Sequence, residues 1–193
     1  MGEEHMFSST RAVRFAAVAL LTLALASMAS AQVLNSGAQT INLNAQLAES
    51  LTLSLTANAV NFTLASGSAT NAGSTAITAT TKWVLKPGRT AVGVYAYFAS
   101  STAALTDGGG NNIPSSAFKI SDNAGPSTAL TATTPYGTTS GFQMENITIT
   151  GANKNSQVTD AMTFNIDLSG GTLPQLPAGT YTGTLNIQAQ ATP

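Results

Sequence analysis

The stretch LPQLPAGTYTGTLNIQAQATP, residues 173–193, closes the chain, and it alternates strictly between residues 180 and 191. One face of this segment carries Tyr181, Leu185 and Ile187 together with Gly and Ala, whereas the other face carries only Thr, Asn and Gln. A period of two is typical of a β-strand with one buried and one solvated face. The alternation therefore predicts a closing strand that lines an apolar core.

Similar alternating segments recur upstream, separated by turns rich in Gly, Pro, Asn and Ser, and no helical period accompanies them. The predicted strands are residues 41–47, 51–55, 60–64, 77–85, 90–98, 117–120, 142–150, 162–168 and 180–191. Short strands at this spacing predict an all-β fold, an immunoglobulin-like antiparallel β-sandwich, with a closed β-barrel as the alternative. Residues 90–98 are apolar on both faces, which indicates a strand in the middle of its sheet.

The first residues have the pattern of a secretory signal peptide, whether translation starts at Met1 or Met6. Arg11 and Arg14 precede an apolar run over residues 15–26, and the small residues of Ala-Ser-Ala at 29–31 precede a predicted cleavage site. The run is too short to cross a bilayer as a helix, so we expect no membrane insertion. The predicted organisation is a signal peptide at 1–31, an N-terminal extension at 32–48 and a sandwich domain at 49–193. The protein is then exported to the periplasm, the cell surface or the medium.

The composition excludes several kinds of chemistry. Only 8% of residues are charged and the formal net charge is −1, which leaves no electrostatic footprint for nucleic acid. The chain has no cysteine, and its one histidine, His5, lies in the predicted signal peptide. Catalytic sites built on Ser-His-Asp or Cys-His, and the usual zinc, copper and haem ligands, are therefore absent from the mature sequence. We predict a protein that is not an enzyme, with no catalytic, cofactor-binding or metal-binding residue.

Carboxylates are the remaining candidates for catalysis or metal binding. A glycosidase needs two carboxyl groups that face one sugar, but the spacing of Asp160 and Asp167 places them on opposite faces of one strand, and Glu145 meets either one only through the tertiary fold. We expect all three to be solvated charges at strand ends. The loop at residues 107–112, DGGGNN, offers oxygen donors for calcium but lacks the alternating carboxylates of a calcium loop, which favours a hairpin or an Ω-type loop.

The aromatic residues suggest a second class of function, binding of a glycan. Tyr95 and Tyr97 lie on one face of a predicted strand and could form a platform for a sugar ring, or a neighbouring strand or loop could cover them. Tyr136 and Tyr181 are further candidates for exposed aromatic contacts in a carbohydrate-binding module or adhesin. Trp83 shares its face with apolar residues, so we expect it in the core.

The segment PAGTYTGTLNI, residues 177–187, resembles the closing strand of spore coat U-type domains, the subunits of archaic chaperone–usher pili. Residues 60–62, VNF, and the strand that follows them are also similar. The resemblance implies an immunoglobulin-like sandwich that lacks one strand, self-association or assembly with other surface subunits, and a periplasmic chaperone.

In such a subunit, a segment near the N-terminus of a neighbouring copy supplies the missing strand. Residues 40–47 stand at this position here, and the plug side chains would be Ile41, Leu43, Ala45 and Leu47. The alternative is that these residues form the first strand of the chain's own sheet. The sequence departs from the family in having no cysteine, and in having Gly183 where members usually carry an acidic residue.

Overall fold

The structure is a computed structural model that describes residues 34–193, so the predicted signal peptide at 1–31 lies outside the described residues. The chain divides into two units after Ala45, and each is described by itself. In the first unit, residues 34–45 form neither helix nor strand, and all of their side chains are exposed. The strand expected at residues 41–47 is therefore wrong as a regular element of this chain.

The second unit, residues 46–193, consists of β-strands, turns and two short 3-10 helices, Ser115–Ala117 and Leu173–Gln175, and it contains no α-helix. Its strands are β1 (Ser50–Leu55), β2 (Asn71–Ala72), β3 (Ile77–Val84), β4 (Ala91–Tyr97), β5 (Leu105–Thr106), β6 (Asn112–Ile113), β7 (Phe118–Asp122), β8 (Thr128–Ala129), β9 (Gly141–Thr148), β10 (Asn155–Ile166) and β11 (Asn186–Thr192).

These strands form two main antiparallel sheets. The larger sheet has the order β1-β3-β10-β7-β8, with β2 paired to β10, and the smaller sheet has the order β11-β4-β9. The strands β5 and β6 form a separate hairpin. Neither main sheet closes on itself, so the prediction of an all-β sandwich is confirmed and the closed-barrel alternative is wrong.

The core lies between the two main sheets because each contributes one apolar face. In β3 the residues from Ile77 to Trp83 alternate, with every second side chain buried. The strand β4 lies between β11 and β9, which confirms the expected central position of residues 90–98. The buried residues form a larger cluster that includes Ile120 and Met162, and a smaller cluster around Trp83 and Val92.

The short strands β2, β5, β6 and β8 were not predicted, and three of the predicted strands differ clearly from the observed ones. The strand β10 begins at Asn155 rather than at residue 162, because its polar first half still pairs with β3. Residues 60–64 make only an isolated bridge, between Phe62 and Gly73. Residues 180–185 are not part of β11, and among them only Thr182 is bridged, to Thr106. The last two segments both border an open groove.

Candidate functional site

A groove of about 630 Å³ opens along the edge of the sandwich at which β1 and β11 are the outer strands. Residues 57–64 line one side of the groove, and residues 179–187 line the other. Its floor is made of core side chains, each at most 7% exposed. These floor residues are Ile77, Phe98, Phe118, Met162, Phe164 and Ile166.

The two sides of the groove are irregular segments with few backbone partners. Apart from Asn186 and Ile187, which belong to β11, their only ladder pairings are the isolated bridges at Phe62 and Thr182. Backbone N–H and C=O groups without a ladder partner are a template for another strand, as at any sheet edge. The groove thus combines an apolar floor with sides that can pair with an added strand.

The same edge of the sandwich is closed at its other end. Leu51 of β1 and Ala191 of β11 both pack against the core cluster that contains Trp83. The Trp83 indole Nε1 donates a hydrogen bond to the Asn153 carbonyl at 2.8 Å. Leu55, at the groove end of β1, is instead 42% exposed. The opening is therefore confined to one end of the edge.

Gly183 holds one side of the groove close to the β5–β6 hairpin. Its neighbour Thr182 exchanges two backbone hydrogen bonds of 2.9 Å with Thr106. A Cβ atom on residue 183 would lie 2.0 Å from the carbonyl oxygen of Ala104, so only glycine fits. This contact restricts residue 183 to glycine.

The four predicted plug residues are all exposed. Ile41 and Leu43 are 84% and 89% exposed, Leu47 is 80% exposed, and Ala45 is exposed as well. Large apolar side chains that are exposed at alternate positions are unusual on a water-facing segment.

The tyrosines of the predicted platform are half-buried and pack against a third tyrosine. Tyr136, from the loop between β8 and β9, stacks on Tyr97 with centroids 5.1 Å apart and meets Tyr95 edge-on at 5.9 Å. The Tyr97 hydroxyl donates to Gln188 Oε1 at 2.7 Å, and burial raises the pKa of the Tyr136 hydroxyl. Tyr181 lines the groove and donates to the Pro177 carbonyl at 2.9 Å. The rings of Tyr95, Tyr97 and Tyr136 thus pack against one another, whereas Tyr181 lines the groove.

Three carboxylates form a cluster between the two sheets, and this cluster was not predicted from the sequence. Asp122 of β7, Glu145 of β9 and Asp160 of β10 each place one oxygen within 4.8 Å of the others. Asp160 is 0% exposed, so the expectation of a solvated charge at a strand end is wrong for this residue. Asp167 instead lies near the surface, where it accepts a 2.8 Å bond from Lys119 Nζ.

A β-bulge contributes to this cluster. In the β4–β9 ladder Tyr95 pairs with Gln143, and the preceding residue of β4, Val94, pairs with Glu145. Met144, between Gln143 and Glu145, therefore has no partner. The extra residue changes which side chains of β9 face inward, and Glu145 therefore lies on the face of the buried Val94. Periodicity could have found Asp122 and Asp160, which share the parity of buried neighbours in their strands, but it could not have located the bulge.

The chemistry open to this cluster is limited by its burial. Burial, and then the charges of Asp122 and Glu145, raise the pKa of Asp160. The pKa of Asp122 is also raised, first by burial and then by Glu145. A fully buried Asp160 cannot contact a sugar, so the cluster does not have the open carboxylate pair that glycoside hydrolysis needs.

The loop after β5 is a hairpin turn, as the sequence predicted. The Asp107 carboxylate accepts bonds from the backbone N–H groups of Gly109 and Asn111 at 2.8 and 3.0 Å, and from Asn111 Nδ2 at 2.6 Å. These bonds, that of the Asn111 side chain first, lower the pKa of Asp107. Its oxygens are thus occupied in stabilising the turn.

Comparison with known proteins adds no relative. No family model matches the chain, and no curated protein matches its sequence. Within residues 34–193, no helix has the length and apolar character needed to cross a membrane.

Proposed function

We propose that the chain is an exported structural protein of the cell surface, without enzymatic activity, whose copies assemble by β-strand donation. Residues 40–47 of one copy lie in the groove of the next copy and add a strand between its segments 57–64 and 179–187. The observation that carries the proposal is an open, apolar-floored groove in a chain that also has an exposed segment of alternating apolar side chains.

The dimensions of the two parts agree. An extended segment rises about 3.3 Å per residue, so the plugs from Ile41 to Leu47 span about 20 Å. Residues 179–185 form a groove side of the same number of residues. Alternate side chains of a strand point to one face, so all four plugs meet the floor while Asn42, Asn44 and Gln46 face solvent. The alternation of apolar and polar residues in the segment thus matches a groove that is apolar on one side and open to solvent on the other.

The energetic reason for assembly is the burial of apolar surface. Each Ile or Leu side chain that moves from water into the groove contributes about 1.5–3 kcal/mol. The inserted strand also supplies partners for the backbone groups on both sides of the groove. Before assembly, apolar side chains on the sides of the groove, such as Leu55 and Phe62, stay partly exposed to water. A periplasmic chaperone that fills the groove temporarily is therefore the partner this mechanism requires.

Export of the chain to a bacterial periplasm tests assembly directly. We expect a ladder of oligomers that survives detergent at room temperature and dissociates on heating. Leu43→Asp should abolish the ladder because it places a charge on the apolar floor. Asn44→Asp is the matched control, since it adds the same charge on the solvent side and should leave the ladder intact. A wild-type chain that stays monomeric at every concentration would sink the proposal.

A second experiment separates donation between copies from closure of the groove by the chain's own segment. A chain without residues 32–48 is mixed with a synthetic peptide of residues 38–48, and its melting temperature is measured. We expect the peptide to raise the melting temperature and a Leu43→Asp peptide to leave it unchanged. If the peptide stabilises the truncated chain while the intact chain remains a monomer, self-closure replaces assembly.

A further inference from the structure

The carboxylate cluster of Asp122, Glu145 and Asp160 lies apart from the groove, and nothing in the proposed assembly uses it. Both oxygens of Asp160 and one oxygen of Asp122 are buried and have no hydrogen-bond partner among the described residues. A buried carboxylate without a partner is strongly unfavourable, so such groups are normally paired with a cation or bound to a metal. No lysine or arginine of the described residues forms an ion pair with any of the three.

We propose that this cluster is a binding site for one calcium ion, held by the carboxylates of Asp122, Glu145 and Asp160. Calcium binds oxygen ligands at about 2.3–2.6 Å, so two ligands on opposite sides of one ion lie up to about 5 Å apart. The three oxygens all lie within 4.8 Å of one another, which is close enough for one calcium ion to bind all of them.

The position of the cluster indicates what the ion does. Asp122 and Asp160 belong to the larger sheet, whereas Glu145 belongs to the smaller sheet. One ion bound to all three therefore connects the two layers of the sandwich. Asp122 and Glu145 are half-buried, so the cluster reaches the surface on their side, where water can complete the coordination. In a chain without disulfides, this link replaces a covalent connection between the sheets.

The turn after β7 places Asp122 beside β10. Asn123 and Ala124 both have positive φ, of 47° and 58°, which turns the chain sharply after Asp122. The Asn123 backbone N–H donates to the Ala161 carbonyl at 2.8 Å, and its Oδ1 accepts from the Ala161 N–H at 2.9 Å. The turn thus holds two of the three proposed ligands in place before an ion binds.

Calcium titration of the exported chain after treatment with EDTA tests the proposal. We expect one calcium per chain by calorimetry and, at one hundred times the dissociation constant, a rise in melting temperature of about 5–10 °C. Asp160→Asn should abolish both effects. It should also melt at a higher temperature than the wild type in EDTA, because it removes a carboxylate that is buried without a partner. A merely structural loss would lower that temperature instead.

Two controls complete the test. Asp107→Asn should bind calcium as the wild type does, which separates the cluster from the Asp-Gly-rich hairpin. If Asp160→Asn fails to fold, Glu145→Gln on the half-buried side should weaken calcium binding at least tenfold. The proposal is overturned if neither calcium nor magnesium changes the melting temperature, because carboxylic acids that share a proton would behave in this way. It is also overturned if calcium binding survives the substitutions of Asp160 and Glu145. None of these readouts depends on assembly, so the two proposals fail independently.

Discussion

The two ends of the β1–β11 edge share the same strands but differ in how they are covered. At the closed end, Leu51 and Ala191 pack over the cluster around Trp83, and the two sheets seal their own core. At the open end, residues of the segments 57–64 and 179–187 line the groove, and apolar side chains such as Leu55 and Phe62 stay partly exposed. The difference shows that apolar side chains alone do not close an edge.

What the open end lacks is backbone pairing. The strand β1 pairs along its whole length with β3, and β11 pairs along its whole length with β4. The chain beyond the groove ends of these strands makes single bridges only. A strand added there would give the open end the continuous ladder of hydrogen bonds that the closed end already has. Substitutions at the two ends should therefore differ in their effect on stability.

The largest effect is expected at the closed end, for Trp83→Ala. Removing a fully packed indole leaves a cavity and an unpaired Asn153 carbonyl, and should cost about 3–5 kcal/mol of the free energy of unfolding. Trp83 is the only tryptophan of the chain, so urea unfolding is followed by circular dichroism. Trp83→Phe is the control and should lose less. A cost below 1 kcal/mol would mean that this end is as open as the groove.

Gly183→Ala should have the next largest effect, because the new Cβ collides with the Ala104 carbonyl and pushes the side of the groove away from the β5–β6 hairpin. We expect a loss of about 1–3 kcal/mol in the free energy of unfolding, as for other overpacked sites. Gly179→Ala is the matched control in the same segment, since its Cβ would meet nothing closer than 3.9 Å. Equal stability of the two variants would contradict the close approach at residue 183.

Leu55→Ala tests whether the open end becomes a closed one on assembly. The Leu55 side chain is 42% exposed in the structure, so in a chain without residues 32–48 its loss should cost less than about 1.5 kcal/mol. With the donor peptide bound, the same side chain is covered and its loss should cost more. The two differences are measured as shifts in melting temperature with and without peptide. Identical shifts would show that the donor does not cover Leu55.

The sequence predicted most of the fold because its strands bury one face, and alternation identifies such strands directly. It also held a signal for Asp122 and Asp160, which share the parity of buried apolar neighbours. It held none for Glu145, because a one-residue bulge reverses the parity of β9 at a point set by the ladder with β4. The end of pairing before Asn186 was equally hidden. At Gly183 the chain approaches the β5–β6 hairpin, which lies far away in the sequence. The alternation of apolar and polar residues within one segment carries no information on such a contact.

The smallest effect concerns Asp167, whose ion pair with Lys119 joins the end of β10 to β7 behind the groove. The Lys119 ammonium, followed by bonds from Ser169, lowers the pKa of Asp167 below its ordinary value. A carboxyl group whose pKa is lower in the folded state stabilises the fold at pH values above its pKa in the unfolded chain, about 3.9. This contribution is lost as the pH falls toward the pKa of the folded state. We therefore expect wild type and Asp167→Asn to differ most in melting temperature near pH 6 and to converge below pH 4, by a small amount because the pair is partly exposed. A difference that stays constant between pH 6 and pH 2.5 would show that Asp167 acts through packing and not through its charge.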